Sequence, residues 1–242
     1  QPAVNDLTHA LELEPDNDLY LSWRGSVYLE ESQYVSAVND LERAISINPN
    51  VPLYYAKLAD IYVAVFNRQK AEAILNQAVE QMPQNADAYV WRGQYYYEME
   101  NFDKSKEDFA AARNIDPEIA TKYVDMGNSF LVANILTSAL DSYSLAILIE
   151  PDLLEAYKRR ATTYIHLGEP ELVNREINML YQLDNDPEHY KNFADAYYIL
   201  GDYENAVLNY HAYLFLLDEP FVPASISASL SFAEEQIEHH EK

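Results

Sequence analysis

Apolar residues recur along this chain at two superimposed spacings. Within short stretches they fall three or four residues apart, which is the spacing of one face of an α-helix. Over longer distances the same arrangement returns every 34 residues. The pattern predicts successive pairs of helices. Positions 4, 8 and 11 of each block lie on one face of a first helix, and positions 20, 24 and 27 lie on one face of a second.

Proline marks the end of each block. The prolines spaced by 34 residues are Pro15, Pro49, Pro83, Pro117 and Pro151. A proline cannot continue a helix, because its ring clashes with the preceding turn. Acidic and amide residues beside these prolines, such as Asn17, are suited to capping the helix that follows. Blocks are therefore counted from Asp18, one residue after that cap.

Position 8 of each block is small and position 11 is aromatic. Position 8 is Gly25, Ala59, Gly93, Gly127 and Ala161, and position 11 is Tyr28, Tyr62, Tyr96, Phe130 and Tyr164. A small residue lets the two helices of a block approach closely, and the large residues fill the space around that contact. A sixth block begins one residue early, at Pro187, and keeps the pattern with Ala194 and Tyr197.

These positions resemble the tetratricopeptide repeat (TPR) family over residues 1–220. The resemblance implies an all-α fold, a right-handed α-α superhelix whose first helices line a concave groove. The predicted repeats are 18–51, 52–85, 86–119, 120–153, 154–186 and 187–220. Residues 1–17 match the second helix of a truncated repeat. We therefore expect either a fragment of a longer chain or a natural half repeat that caps the N-terminal end.

Residues 221–242 follow a different pattern. Ile226, Leu230, Ala233 and Ile237 form one apolar stripe of an amphipathic helix. A solenoid needs a cap over the apolar face of its last repeat, and this segment is expected to be that helix. The alternative is that it lies in the groove as a self-inhibitor, or binds a partner.

Charged residues at positions 7 and 23 alternate together. Arginine occupies position 7 only in the blocks where position 23 is acidic. The helices of one block are antiparallel, so these side chains should meet and form two hydrogen bonds each. The predicted structural ion pairs are Arg24–Asp40, Arg92–Asp108 and Arg160–Glu176.

The groove implied by the resemblance provides the candidate binding residues. They are Trp23, Leu53, Lys57, Trp91, Gln94, Tyr97, Asn128, Lys158, Arg159, Lys191 and Asn192. The apolar members would bury side chains of an extended or helical peptide, with Trp23 and Trp91 as anchors. The alternative is that both tryptophans only pack against neighbouring helices.

Three of these candidates form a basic group in an acidic chain. Lys158, Arg159 and Lys191 would bind a carboxylate or an acidic segment, or would only neutralise nearby acidic residues. Some TPR domains bind acidic C-termini of chaperones with a two-carboxylate clamp. Lys158 and Asn192 match two positions of that clamp, but Thr162 replaces a required asparagine and no third block follows. That specificity is rejected.

Composition narrows the classes of function. The 242 residues have a formal net charge of −24, which disfavours binding to nucleic acid and to anionic membranes. Hydrophobic residues make up 49% of the chain, so a folded core is expected rather than a disordered acidic tail. There is no cysteine, and the five glycines are not clustered as a phosphate loop requires. No apolar run is long enough for direct membrane insertion.

No catalytic or metal-binding motif is present in the sequence. The six histidines form no HExxH pattern, and no serine lies in a GxSxG turn. We therefore predict a non-catalytic scaffold, without cofactor or metal, that binds a protein or peptide. The alternatives are a structural module that oligomerises through its ends and a regulatory arm of a larger enzyme or transport assembly. The composition fits a soluble bacterial protein of the cytoplasm or the periplasm.

Overall fold

The computed structural model describes residues 2–217 and 223–240. Across those residues it contains 14 α-helices and no β-strand. The helices are α1 (Pro2–Leu13), α2 (Asp18–Glu30), α3 (Tyr34–Ile47), α4 (Pro52–Ala64), α5 (Arg68–Gln81), α6 (Ala86–Glu98), α7 (Phe102–Ile115), α8 (Ile119–Val132), α9 (Leu136–Ile149), α10 (Leu154–Leu167), α11 (Pro170–Asp184), α12 (Glu188–Leu200), α13 (Tyr203–Leu217) and α14 (Ala224–His240). The predicted all-α fold is confirmed. The predicted boundary at Pro220 lies outside the described residues, as do Gln1 and residues 241–242.

The helices pack in the pairs that the 34-residue period predicts. Contacting pairs include α2 with α3, α4 with α5, α6 with α7, α10 with α11 and α12 with α13. The chain divides into two compact units. The N-terminal unit, residues 1–119, contains α1–α7, and the C-terminal unit, residues 120–242, contains α8–α14. In the N-terminal unit α2 contacts α4 and α4 contacts α6, so three first helices lie side by side.

The turn within each repeat has one residue in the left-handed backbone region, always at position 15 of its block. These residues are Ser32, Phe66, Glu100, Asn134, Gly168 and Gly201, with φ angles of 59°, 60°, 60°, 59°, 71° and 79°. A left-handed conformation costs an L-residue roughly 1–2 kcal/mol, whereas glycine adopts it freely. The last two repeats therefore have the least strained turns.

Three of the described turns between repeats are closed by a tyrosine at position 4. Its hydroxyl donates a hydrogen bond to the carbonyl oxygen of the block-ending proline six residues earlier. The bonds are Tyr55–Pro49 at 3.1 Å, Tyr89–Pro83 at 3.3 Å and Tyr157–Pro151 at 2.9 Å. The proline ends one helix, and the hydrogen bond fixes the entry of the next.

The glycines at position 8 allow the two helices of a repeat to touch. A Cβ atom on Gly25 would lie 3.1 Å from Cγ of Leu41, and one on Gly127 would lie only 2.5 Å from Cε1 of Tyr143. The ring of Tyr143 therefore occupies the space that any larger residue at position 127 would need.

Helix α14 packs against α13 in the C-terminal unit. Its residues Ile226 and Ala233 are fully or almost fully buried. Phe232 contacts the rings of Tyr198 and Tyr203, with centroid distances of 5.9 and 5.8 Å. This helix covers apolar surface of the sixth repeat, as the predicted capping role requires.

Candidate functional site

Three arginines join the helices of their repeats through paired hydrogen bonds to a carboxylate. The donor–acceptor distances are 2.7 and 2.8 Å for Arg24–Asp40, 2.8 and 2.7 Å for Arg92–Asp108, and 3.1 and 3.1 Å for Arg160–Glu176. All six side chains are largely buried. The structure thus brings together each arginine and carboxylate that the alternation singled out, and it holds them inside the helix pairs.

Each of these arginines also contacts the preceding repeat. Its Nη1 atom donates to a polar side chain sixteen positions earlier in the chain. The acceptors are Thr8 at 3.1 Å, Asn76 at 3.0 Å and Ser144 at 3.0 Å. Each arginine therefore links three helices. Sequence reasoning missed this contact, although a polar residue at position 25 of the preceding block was the available clue.

The first helices of the N-terminal unit present several predicted groove residues to solvent. Trp23 of α2 is 50% exposed, Leu53 of α4 is 40% exposed and Tyr97 of α6 is 45% exposed. Trp91 of α6 is half-buried. These side chains lie on α2, α4 and α6, which are neighbours, and we call the exposed side of these three helices the first-helix face.

Lys57 is a structural residue of this face. Its Nζ atom donates to Oγ of Ser26 at 2.8 Å and lies 3.3 Å from Oγ of Ser22. Burial lowers the pKa of Lys57, and the charge of Asp60 opposes that shift. The ammonium group therefore ties α4 to α2.

A small pocket lies beside Lys57, where α4, α5 and α6 meet. Its volume is about 60 Å³, and it is lined by Ala56, Ala59, Asp60, Leu75, Trp91, Gln94, Tyr95 and Glu98. We call it the Trp91 pocket. Trp91 and Gln94 were candidate binding residues from the sequence, whereas Asp60 and Glu98, at groove-facing positions 9 and 13 of their blocks, were not singled out for binding. They come from different repeats, and only the packing of α4 against α6 brings them together.

The carboxylates of the pocket interact unfavourably. Desolvation and the charge of Glu98 raise the pKa of Asp60 to about 6, despite the opposing effect of Lys57. The surface of Asp60 is solvent-accessible, yet protein surrounds the side chain and limits the hydration of its charge. Gln94 donates to Oε1 of Glu98 at 3.0 Å. The pocket therefore combines an aromatic wall with two carboxylates that repel each other.

The basic candidates of the C-terminal unit interact with acidic residues close to them in the chain. Nε of Arg159 donates to Glu155 at 2.7 Å, and Nζ of Lys191 donates to Glu188 at 3.0 Å. Both partners lie on the same helix as the cation, one turn away. Burial raises the pKa of Asp184, but hydrogen bonds from the Asp186 backbone and from His189 and, to a lesser extent, the charge of Lys158 lower it overall. This is the local neutralisation that the sequence left open as an alternative to ligand binding.

The two predicted asparagines have different surroundings. Asn128 accepts a hydrogen bond from the Tyr143 hydroxyl at 3.0 Å, which holds α8 against α9. Asn192 is exposed on α12. Both residues belong to the C-terminal unit, and the Trp91 pocket belongs to the N-terminal unit.

One group of possible metal ligands is present among residues 2–217 and 223–240. It comprises Asp184, Asp186 and His189, whose ligand atoms lie within 4.8 Å of one another. His189 is buried and bonded to both carboxylate oxygens of Asp184, at 2.9 and 2.8 Å. Asp186 accepts a hydrogen bond from the backbone N–H of Glu188 at 3.0 Å. These bonds stabilise the turn between α11 and α12.

The fold defines a helical-repeat protein, built of helix pairs with a 34-residue period. Sequence models described as tetratricopeptide repeat match residues 28–88 and residues 86–119. Residues 28–119 therefore match tetratricopeptide repeats, and the helices of the described residues fit about six such repeats. No curated protein matches the chain. Within the part of the chain that the structure describes, no helix is both long and apolar enough to cross a membrane.

Several solved structures are similar to the chain at low identity. A chain of the APC/C hetero-tetramer Cut9–Hcn1 is 14% identical, with a TM-score of 0.44 over 96% of this chain and 46% of that chain. This chain therefore spans less than half the length of that protein. A TPR protein from Parabacteroides merdae is 16% identical, with a TM-score of 0.41 over 96% and 91% of the two chains. YrrB, described as a TPR protein with an unusual peptide-binding site, is 14% identical, with a TM-score of 0.37 over 74% and 93%.

Proposed function

We propose that the chain is a non-catalytic scaffold that binds a segment of a partner protein on the first-helix face of α2, α4 and α6. The exposed aromatic and apolar side chains of that face support the proposal most directly. Trp23, Leu53 and Tyr97 are exposed on three adjacent first helices. Contiguous exposed apolar residues mark interaction surfaces, and aromatic residues contribute most to their binding energy.

The Trp91 pocket is sized for part of a side chain rather than for a whole small-molecule substrate. Its volume is about 60 Å³, whereas pockets that enclose a small-molecule substrate measure roughly 300–1,000 Å³. It is large enough to admit the end of one side chain. A partner segment lying on the first-helix face would place such a side chain within its reach.

Site-specific photocrosslinking tests this function. A benzophenone amino acid replaces Tyr97 on the first-helix face or, as the control, Val35 on α3. Val35 is also an exposed apolar residue, 77% accessible, but it lies on a second helix. After irradiation in a lysate of the source cells, we expect adducts from position 97 that are absent from position 35.

A variant of the first-helix face completes the test. Trp23→Ala combined with Leu53→Ala should reduce the adducts at position 97 by about fivefold or more, since it removes two exposed contact residues without emptying the core. Equal labelling from positions 97 and 35, or adducts unaffected by this variant, would contradict binding on the first-helix face.

A further inference from the structure

The Trp91 pocket has the chemistry of a site for a cationic side chain. The carboxylates of Asp60 and Glu98 line it, and they come from helices α4 and α6. The nearest cation, Lys57, is directed to the hydroxyls of Ser22 and Ser26 on α2. The negative charge of the pocket is therefore only partly balanced from within the protein.

The mutual repulsion of the carboxylates would be relieved by a cation placed between them. Desolvation and the charge of Glu98 raise the pKa of Asp60, so each carboxylate disfavours the ionisation of the other. The other titratable side chain at the pocket, Tyr95, donates its hydroxyl hydrogen bond to the backbone carbonyl of Arg68 at 2.9 Å. An anionic ligand would add a third negative charge, so acidic side chains are disfavoured.

The shape and lining of the pocket favour arginine over lysine. Trp91 lines the pocket together with the almost fully buried Ala56, Ala59 and Leu75. A guanidinium group is planar, stacks on an aromatic ring and can offer parallel N–H donors to carboxylates, whereas an ammonium group is compact and strongly hydrated. The volume of about 60 Å³ holds a few water-sized groups, which suits the end of such a side chain.

We propose that the Trp91 pocket binds the arginine side chain of a partner segment lying on the first-helix face. This inference rests on the proposed function and specifies the chemistry of the partner. Asp60 and Glu98 accept hydrogen bonds from the guanidinium, and Trp91 stacks on its plane. The partner is thus a basic segment, opposite in charge to the acidic ligands that the residues around Lys158 suggested from the sequence.

The test uses capped single residues as probes. N-acetyl-arginine N-methylamide is titrated into the ¹⁵N-labelled chain at pH 7.5, and the indole N–H resonance of Trp91 is followed. The Trp23→Phe variant assigns that resonance, since the chain has two tryptophans. The corresponding citrulline derivative is the uncharged control of nearly the same shape. We expect saturable shifts with arginine and none with citrulline.

Two variants locate the interaction. Asp60→Asn combined with Glu98→Gln should weaken arginine binding about tenfold or more, since both acceptors lose their charge. Glu30→Gln is the matched control, because Glu30 occupies position 13 of its repeat, as Glu98 does, outside the pocket. It should leave binding unchanged. The thermal melting of each variant verifies that the fold is retained.

Three results would overturn the arginine site: no saturable shift with the arginine probe, equal binding of citrulline, or unchanged affinity in the Asp60→Asn/Glu98→Gln variant. Crosslinking from position 97 separates this failure from failure of the proposed function. Adducts that persist in the double variant would leave partner binding intact and remove the arginine site. Loss of selective adducts in the unmodified chain would remove both.

Discussion

Acidic and basic side chains are arranged in opposite ways in the two units. Around α10 and α12 of the C-terminal unit, Arg159 and Lys191 each bind a glutamate one turn away on their own helix. Around α4 and α6 of the N-terminal unit, Lys57 binds hydroxyl groups instead, and the carboxylates of Asp60 and Glu98 line one pocket and repel each other. Helices α10 and α12, which carry more basic residues than α4 and α6, are thus locally neutralised. The surface around α4 and α6 keeps negative charge that the nearby Lys57 only partly balances.

The difference shows why a cluster of like charges in a sequence is a poor guide to a binding site. Exposed ion pairs within one helix turn satisfy their charges locally and contribute only about 0.3–0.5 kcal/mol. A site needs charges that the protein leaves partly unsatisfied. In this chain such charges arise where helices from different repeats converge.

The largest expected effect contrasts the ion pairs of the two units. Arg92→Ala leaves Asp108 buried without its cation and should lower the free energy of unfolding of the N-terminal unit by about 3–5 kcal/mol. Arg160→Ala should cost less, about 2–3 kcal/mol, because burial already raises the pKa of Glu176 and favours its neutral form. Hydrogen exchange of α6–α7 and of α10–α11 measures each unit separately.

The double variant Arg92→Ala/Asp108→Ala is the control for this contrast. It should recover part of the loss, since no buried charge remains unpaired. A larger cost for Arg160→Ala than for Arg92→Ala would refute the ranking.

A smaller effect distinguishes the turns of the two units. Glu100→Gly should stabilise the N-terminal unit by about 0.5–1 kcal/mol, because the backbone at position 100 is left-handed. Gly168→Ala should destabilise the C-terminal unit by about 1 kcal/mol for the same reason, although no atom lies within 4 Å of the added Cβ. Urea unfolding measures both, and a neutral Gly168→Ala would show that the turn relaxes.

The smallest effect concerns the titration of Asp60, followed by NMR of its carboxyl carbon. Its pKa of about 6 should fall in Glu98→Gln and rise in Lys57→Met, because these variants remove a repulsive and an attractive charge respectively. Glu30→Gln should leave it unchanged. An Asp60 titration that ignores Glu98 would argue against the geometry of the Trp91 pocket.

The titration of Asp60 also makes the free energy of unfolding depend on pH. The folded-state pKa of Asp60 lies above its unfolded value near 4, so its ionisation disfavours folding at neutral pH. This penalty is relieved as the pH falls from about 6 towards 4. In Asp60→Asn, this contribution to the pH dependence of unfolding should be absent.

The repeat architecture could be predicted because its determinants are local. Proline at positions 49 and 83, small residues such as Gly93 and aromatic residues such as Tyr96 recur at fixed spacing, and each has a direct effect on helix ends or helix contact. The pairing of Arg92 with Asp108 could also be predicted from the sequence, since the two helices of a repeat must be antiparallel neighbours.

The candidate site could be predicted only in part. Trp91 and Gln94 were among the groove residues because they occupy positions on the first-helix face. Asp60 and Glu98 also occupy groove-facing positions, but neither was singled out for binding, since acidic residues are common in a chain with 40 of them. The contact of Arg92 with Asn76 was missed for a related reason: it joins two repeats rather than the helices of one.

The sequence by itself determined that this protein is a stack of 34-residue helix pairs, and which residues hold each pair together. Those features depend on spacing along the chain, and a helix converts spacing directly into a shared face. Only the tertiary structure decided which charges remain unsatisfied. That depends on distances between side chains of different repeats and on how much water surrounds them, and the packing of α4 against α6 sets both.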